Sequence, residues 1–195
     1  IYDDISENSL EYFIGSIICI PLGDSINPYM EVIDGQQRLT TISILLTAIY
    51  NKLKSYKDDL SEDDEDVLPS LRKSLKSSNS ANEMKLIPQI QNKNRDDYDY
   101  LMSESGLRKA AGTKHPYYAM RKISKCYNYF LGRLSKEMEG LDTVGAISFL
   151  LKKYDKVKQA MLVKIEVSSH SDAYVLFESL NNRGTPLTAI DLMKN

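Results

Sequence analysis

The sequence predicts an α+β fold, a small sheet with a larger set of surrounding helices. Three observations carry this. The β-branched apolar run Phe13–Ile20 and a second run, Tyr29–Ile33, stand close together near the start. Long stretches with apolar residues three and four apart dominate the middle. One more β-like run, Met161–Val167, comes late. Strands grouped early, then helices, then one strand fit α+β better than a regular βαβ alternation.

Residues 3–12 have modest helical character. Phe13-Ile14-Gly15-Ser16-Ile17-Ile18-Cys19-Ile20 reads as a buried strand, because branched side chains pack well on a pleated surface. Gly23-Asp24-Ser25-Ile26-Asn27-Pro28 supplies turn residues, and Tyr29 to Ile33 reads as the return strand of a hairpin. From Gln37 onward, Leu39, Ile42, Leu46, Ile49 and Leu53 recur at helical spacing. Residues 55–82 change character. Asp58 to Asp66 holds seven acidic residues in nine, followed by Ser- and Lys-rich sequence. This reads as a mobile, solvated insertion loop with a short helix near Leu68–Leu75. Met84 to Ile90 has the residues of a short strand, interrupted by Pro88, and residues 95–104 read as helix.

A second strong helix is predicted over 117–139, with Met120, Ile123, Tyr127, Phe130 and Leu134 on one face. A third covers 143–154, with Val144, Ile147, Leu150 and Leu151 on one side. Ala173, Leu176, Phe177 and Leu180 mark another helix. Asn181 to Pro186 ends it, since glycine and proline stop helices. Thr188 with Asp191 resembles a capping box and starts a final helix.

Composition is ordinary for a globular protein. Of 195 residues, 42% are hydrophobic and 27% charged. The net charge is −2, from 25 basic and 27 acidic residues, which argues against a surface basic all over. No apolar run reaches the ~18 residues of a membrane span. The chain opens Ile1-Tyr2-Asp3-Asp4, without a Met, and reads as an interior start. Cys19 and Cys126 lie far apart in apolar stretches, which suits buried free thiols and a cytoplasmic setting. There is no P-loop, no GxGxxG and no HExxH. His115 and His170 stand alone in sequence, so a His-based metal site or Ser-His-Asp triad finds little support. Glu83-Met84-Lys85 matches half of a metal-dependent nuclease core, a tripeptide common by chance.

Two segments could carry chemistry. Asp34-Gly35-Gln36-Gln37-Arg38-Leu39-Thr40-Thr41 lies between a strand and an amphipathic helix. A helix start presents unbonded N–H groups and a positive dipole end. Gly35 allows close backbone approach, and Arg38 offers a forked donor suited to phosphate. Gln36 and Gln37 can donate and accept, while Thr40 and Thr41 add hydroxyls. Asp34 could hold a metal ion or orient a water. Together these make an anion-binding corner. The plainer alternative makes Asp34 a helix cap and Arg38 a surface ion pair. The second segment, Phe177 to Gly184, offers Asn181, Asn182 and Arg183 to a base edge, ribose or phosphate, or serves only as a helix C-cap.

Val32 to Thr41 resembles the signature of the GmrSD restriction endonuclease N-terminal domain family. Phe177 to Leu187, with Asp191, Lys194 and Asn195, is similar to the second family motif. Asp3-Asp4-Ile5 and Tyr12 to Ile17 are similar to the stretch before the first. The resemblance covers most of the chain outside the acidic segment. It implies a ParB/sulfiredoxin-like core, with 1–195 a single truncated domain. It implies a nucleotide-binding, NTP-hydrolysing regulatory module of a modification-dependent DNA restriction system, acting in phage defence. DNA cleavage would belong to an HNH-type nuclease domain or subunit. Mg²⁺ with GTP or ATP would be the cofactor set. By that likeness Gly35, Gln36, Gln37 and Arg38 cradle phosphate, and Asp34 positions a metal-bound or attacking water. Asn181, Asn182 and Arg183 close the pocket. The family also carries an upstream Gln-Arg segment with an aromatic Tyr/Trp pair; this chain begins after that point and has no Trp.

Two other readings stay open. One is a ParB-like domain acting directly on DNA, with the tyrosines of 117–130 stacking on bases and Arg121, Lys122 and Lys125 on phosphates. The other is a non-enzymatic interaction module whose motif residues only cap helices.

Overall fold

The sheet is laid down at both ends of the sequence. Strand β1 (Phe13–Leu22) and strand β2 (Tyr29–Asp34) pair antiparallel, and β3 (Met161–Glu166) joins the other side of β1. The Met161 N–H donates to the Tyr12 carbonyl (2.8 Å) and the Val167 N–H to the Cys19 carbonyl (3.0 Å). The numbers rise together, so β3 runs parallel to β1 and the sheet is mixed. β1 is the central strand, and its Ile18-Cys19-Ile20 stretch is buried. The structure is a computed structural model and describes residues 2–7, 12–23, 28–77, 83–88, 93–110 and 112–181.

The remaining elements among these residues are seven α-helices and a few short 3₁₀ turns. The α-helices are α1 (Tyr2–Glu7), α2 (Gln36–Ser55), α3 (Val67–Leu75), α4 (Asn94–Glu104), α5 (Lys122–Glu137), α6 (Thr143–Gln159) and α7 (His170–Asn181). The fold is therefore α+β, a small sheet and many helices, as the sequence predicts. No described helix is long and apolar enough to cross a membrane. The chain falls into two compact units. One comprises Ile1–Phe13 with Gln37–Met161, and the other Ile14–Gln36 with Leu162–Asn195.

The first unit holds the helices α1 to α6. In α2, Ser43-Ile44-Leu45 and Thr47-Ala48-Ile49-Tyr50 are buried in succession, as is Leu53. Consecutive burial means that α2 is covered on more than one side, unlike a surface helix with one apolar stripe. Small and polar residues make this possible. Ser43 is hydrogen-bonded to the Tyr98 hydroxyl, and Thr47 donates to the Ser43 carbonyl (2.8 Å). Asn51 donates to Ser105 Oγ (2.8 Å) and the Tyr127 hydroxyl (2.6 Å). Each of these three α2 side chains has a partner, so its burial costs little. At α1, Tyr2 stacks on Phe130, and the Arg133 guanidinium lies 4.8 Å from its ring centre. Lys153, only 5% exposed, lies 4.6 Å from the same ring and 3.1 Å from Glu137.

Several boundaries differ from expectation. The helix expected over 117–139 begins at Lys122. Tyr117 is left-handed (φ 59°), Tyr118–Met120 form a tight 3₁₀ turn and Arg121 is extended, so Met120 sits outside the helix and is 68% exposed. Val144, placed on the inner face of α6, is 74% exposed; Ala146, Ile147, Leu150, Tyr154 and Val157 are buried instead. Asp142 caps that helix by accepting from the Gly145 N–H (2.8 Å). Of Met84–Ile90, the described part forms only an isolated bridge between Lys76 and Met84. Within the acidic stretch, Lys57–Asp59 and Glu62–Asp64 are 3₁₀ turns with no buried residue, and α3 follows. Pro69 is tolerated in α3 because it falls in the first turn. The helix expected from Thr188 lies outside the described residues.

The second unit holds most of the sheet together with α7, which packs on β2. Ser169 begins α7 as a reciprocal cap: its Oγ accepts from the Asp172 N–H (3.1 Å) and donates to the Asp172 carboxylate (2.8 Å). His170 Nε2 lies 3.1 Å from Glu31 on β2.

Candidate functional site

The first motif sits where β2 becomes α2. In the β1–β2 register Cys19 faces Val32, yet Ile18 faces Asp34. One residue, Ile33, is therefore extra: β2 carries a bulge just before the motif. A bulge breaks the two-residue alternation and bends its strand, so it sets where Asp34 leaves the sheet. Gly35 alone separates strand from helix, at φ +90°. That conformation is open to glycine and strained for other residues.

Gln36 opens α2. Its side-chain amide donates back to the Val32 carbonyl across the Gly35 turn. Gln37 is exposed. Arg38 and Thr40 are half-buried in the first turns, and both take part in further interactions. The Thr41 hydroxyl donates to the Gln37 carbonyl (2.7 Å), one turn back. Asp34 ends β2 half-buried. Asp34 to Arg38 thus follow one another through the bend from strand into helix, where the first-turn N–H groups have no carbonyl of their own helix to bond.

The second motif is described only in part. Phe177 to Leu180 form the last turns of α7, where Ser179 donates to the Leu176 carbonyl (2.8 Å). Asn181 ends the helix. Asn182 and Arg183 lie outside the described residues.

The other candidates resolve as follows. Neither histidine stands alone in space: His115 Nε2 is 2.8 Å from Asp96, and His170 pairs with Glu31. Among the described residues no group of three or more His, Cys, Asp or Glu could hold a metal ion. Cys19 is buried and Cys126 half-buried, and both are free. Burial pushes both thiols up, that of Cys126 to about 11. In the tyrosine-rich stretch, Tyr127 and Tyr118 are half-buried and Tyr117 is exposed. Arg121, a candidate phosphate contact, donates its Nε–H to the buried Asp97 carboxylate. Sequence reasoning missed that ion pair and the Gln36 brace. Neither spacing nor residue type distinguishes Asp97 from Asp96 and Asp99, or Gln36 from Gln37.

A mixed sheet with a strand–glycine–helix corner, carrying Asp-Gly-Gln-Gln-Arg and joined to a helical unit, defines the class of domain. The family model for the GmrSD restriction endonuclease, N-terminal domain, matches residues 1–195, the whole chain. The chain belongs to that family, which gives it a role in a restriction system. No curated protein matches it.

Proposed function

We propose that this chain is a nucleotide-binding, NTP-hydrolysing regulatory module of a DNA restriction system, working in the cytoplasm. DNA cleavage then falls to an HNH-type nuclease domain or partner. The observation that carries the reading is the β2–Gly35–α2 corner. A glycine at φ +90° leaves no Cβ in the way of a phosphate, and the helix start beyond it supplies N–H groups and a positive dipole end. Arg38 stands in the first turn of the same helix. Magnesium takes one or two carboxylates and fills its shell with phosphate and water oxygens. A single acid at the corner, Asp34, fits that need. When bound with GTP or ATP, the ion would offset phosphate charge. Asp34 would also hold the attacking water, and Arg38 would meet charge building on the transferred phosphoryl group. Asn181, Asn182 and Arg183 are proposed as further contacts to the nucleotide.

Direct action on DNA through 117–130 draws less support, because Arg121 is tied to Asp97.

The test is calorimetric titration with GTP and with ATP, each with Mg²⁺, of the wild type beside Arg38→Ala. Removing one oriented charge-bearing donor typically costs a few kcal/mol. The expected outcome is micromolar binding by the wild type and a loss of about a hundredfold in the variant, with unchanged circular dichroism. Equal affinity in the two proteins would remove Arg38 from the site.

A further inference from the structure

The two sides of β3 are used differently. The Met161 and Val167 N–H groups donate to Tyr12 and Cys19, and the Ile165 carbonyl accepts from the Cys19 thiol (3.6 Å). Backbone groups of a strand face one neighbour and then the other in alternate residues. Leu162, Lys164 and Glu166 therefore turn their N–H and C=O groups away from β1, and among the described residues no strand pairs with that side. An open row of this kind is a template for a further strand. Side chains alternate in the same way. Lys164 and Glu166 share one face of β3, 2.5 Å apart, with 49% and 45% of their side chains exposed. Val163, Ile165 and Val167 share the other, and Val163 is 50% exposed. From Leu162 onward all of these belong to the second unit.

This pattern is complementary to itself. Two copies of one strand can meet antiparallel about a twofold axis, each offering the same patch. The outward backbone groups allow Lys164 to meet Lys164, Glu166 to meet Glu166, or Lys164 to meet Glu166. The first two set like charges opposite one another, which is unfavourable. The third sets opposite charges face to face on both sides of the axis. It also puts Ile165 against Ile165 and Val163 against Val167 on the other face, and β-branched side chains pair well across strands. We propose that two copies of this chain associate edge to edge through β3, in the register that sets Lys164 opposite Glu166 of the second copy. The two sheets then become one continuous sheet. The charges do more than attract: by penalising the adjacent registers they fix the alignment.

The experiment is sedimentation velocity of the full chain over a range of concentrations, beside Lys164→Glu and Glu166→Lys. The wild type is expected to pass from monomer to dimer in the micromolar range. Each variant alone sets like charges opposite and is expected to weaken dimerisation about tenfold or more. Melting of the dilute monomer should change little, because both side chains are exposed. An equal mixture of the two variants is expected to dimerise as the wild type does, since each Glu then meets a Lys. Ile165→Cys lies at the axis, where facing Cβ atoms stand about 5 Å apart, and is expected to give a disulfide-linked dimer on mild oxidation. A wild type that stays monomeric at about 500 μM would overturn the proposal and leave the edge to a strand of other sequence. So would a dimer that neither charge variant weakens, or a mixture that fails to restore it. A charge-sensitive dimer that Ile165→Cys does not link would overturn the register.

Discussion

Asp97 is fully buried, and one of its carboxylate oxygens has no hydrogen-bond partner; the other takes the Arg121 Nε–H. A carboxylate held this way depends heavily on its cation, because removing one partner strands a charge in a poorly polar interior. Arg121→Ala is therefore expected to destabilise the fold by about 3 kcal/mol, read as a lower urea midpoint at unchanged slope. Arg121→Lys should recover part of the loss, since it keeps the charge but not the planar fork. The neighbouring Tyr98 offers a milder comparison. Tyr98→Phe leaves the buried Ser43 hydroxyl without its partner and should cost about 1–2 kcal/mol. None of this could be read from Asn94-Arg95-Asp96-Asp97-Tyr98-Asp99, where three acids look alike. Only the direction in which α4 faces separates the buried one.

At the scale of elements, α2 does two jobs. Its first turn forms the candidate site, and its middle forms the core. Leu45 is fully buried there, so Leu45→Ala is expected to cost about 2–5 kcal/mol and to lower the melting temperature with little change in nucleotide affinity. Gly35→Ala is expected to do the opposite. It strains one φ at the corner, costing about 1–2 kcal/mol, yet on the proposed function it should abolish detectable nucleotide binding, because the added methyl group would stand where that proposal seats the phosphate. Calorimetric titration and thermal melting of both variants check the contrast. Equal loss of stability and binding in the two would argue against separate roles for the two ends. The helix itself was legible from its leucine and isoleucine spacing. Its full burial was not, because Ser43, Thr47 and Ala48 look like a polar or neutral face until Tyr98 and Met102 are seen to cover them.

Over the whole molecule, several ionisable groups are held in their neutral forms. Burial raises the Tyr98 hydroxyl to about 12, from an ordinary value near 10. Burial also raises Tyr2, Tyr118 and Tyr127, as well as both thiols. The sign is the same for all. The unfolded chain loses these protons first, so the stability they contribute is complete below about pH 9 and is lost as pH rises through the folded values. Tyr98 alone accounts for a change on the order of 3 kcal/mol. The protein should therefore unfold cooperatively on alkaline titration between about pH 10 and 12. Phenolate absorbance and loss of helical circular dichroism should rise and fall together. Phenolate absorbance that grows smoothly while the helices persist would show that these tyrosines are not held by the fold.

The sequence by itself determined the fold class, the order of the strands and most helices, and the place of the Asp-Gly-Gln-Gln-Arg motif between a strand and a helix. These follow from local periodicity and from glycine, which act over a few residues. The two motifs also carried the family resemblance, which the match over the whole chain bears out. The tertiary structure alone decided the rest: the β2 bulge, the parallel seating of β3 beside β1, the Asp97–Arg121 pair and the turning of Gln36 onto Val32. Each is a choice between chemically equivalent residues or registers. Such choices are settled by packing and by the need to satisfy polar groups as they leave water, and those energies exist only once distant parts of the chain have met.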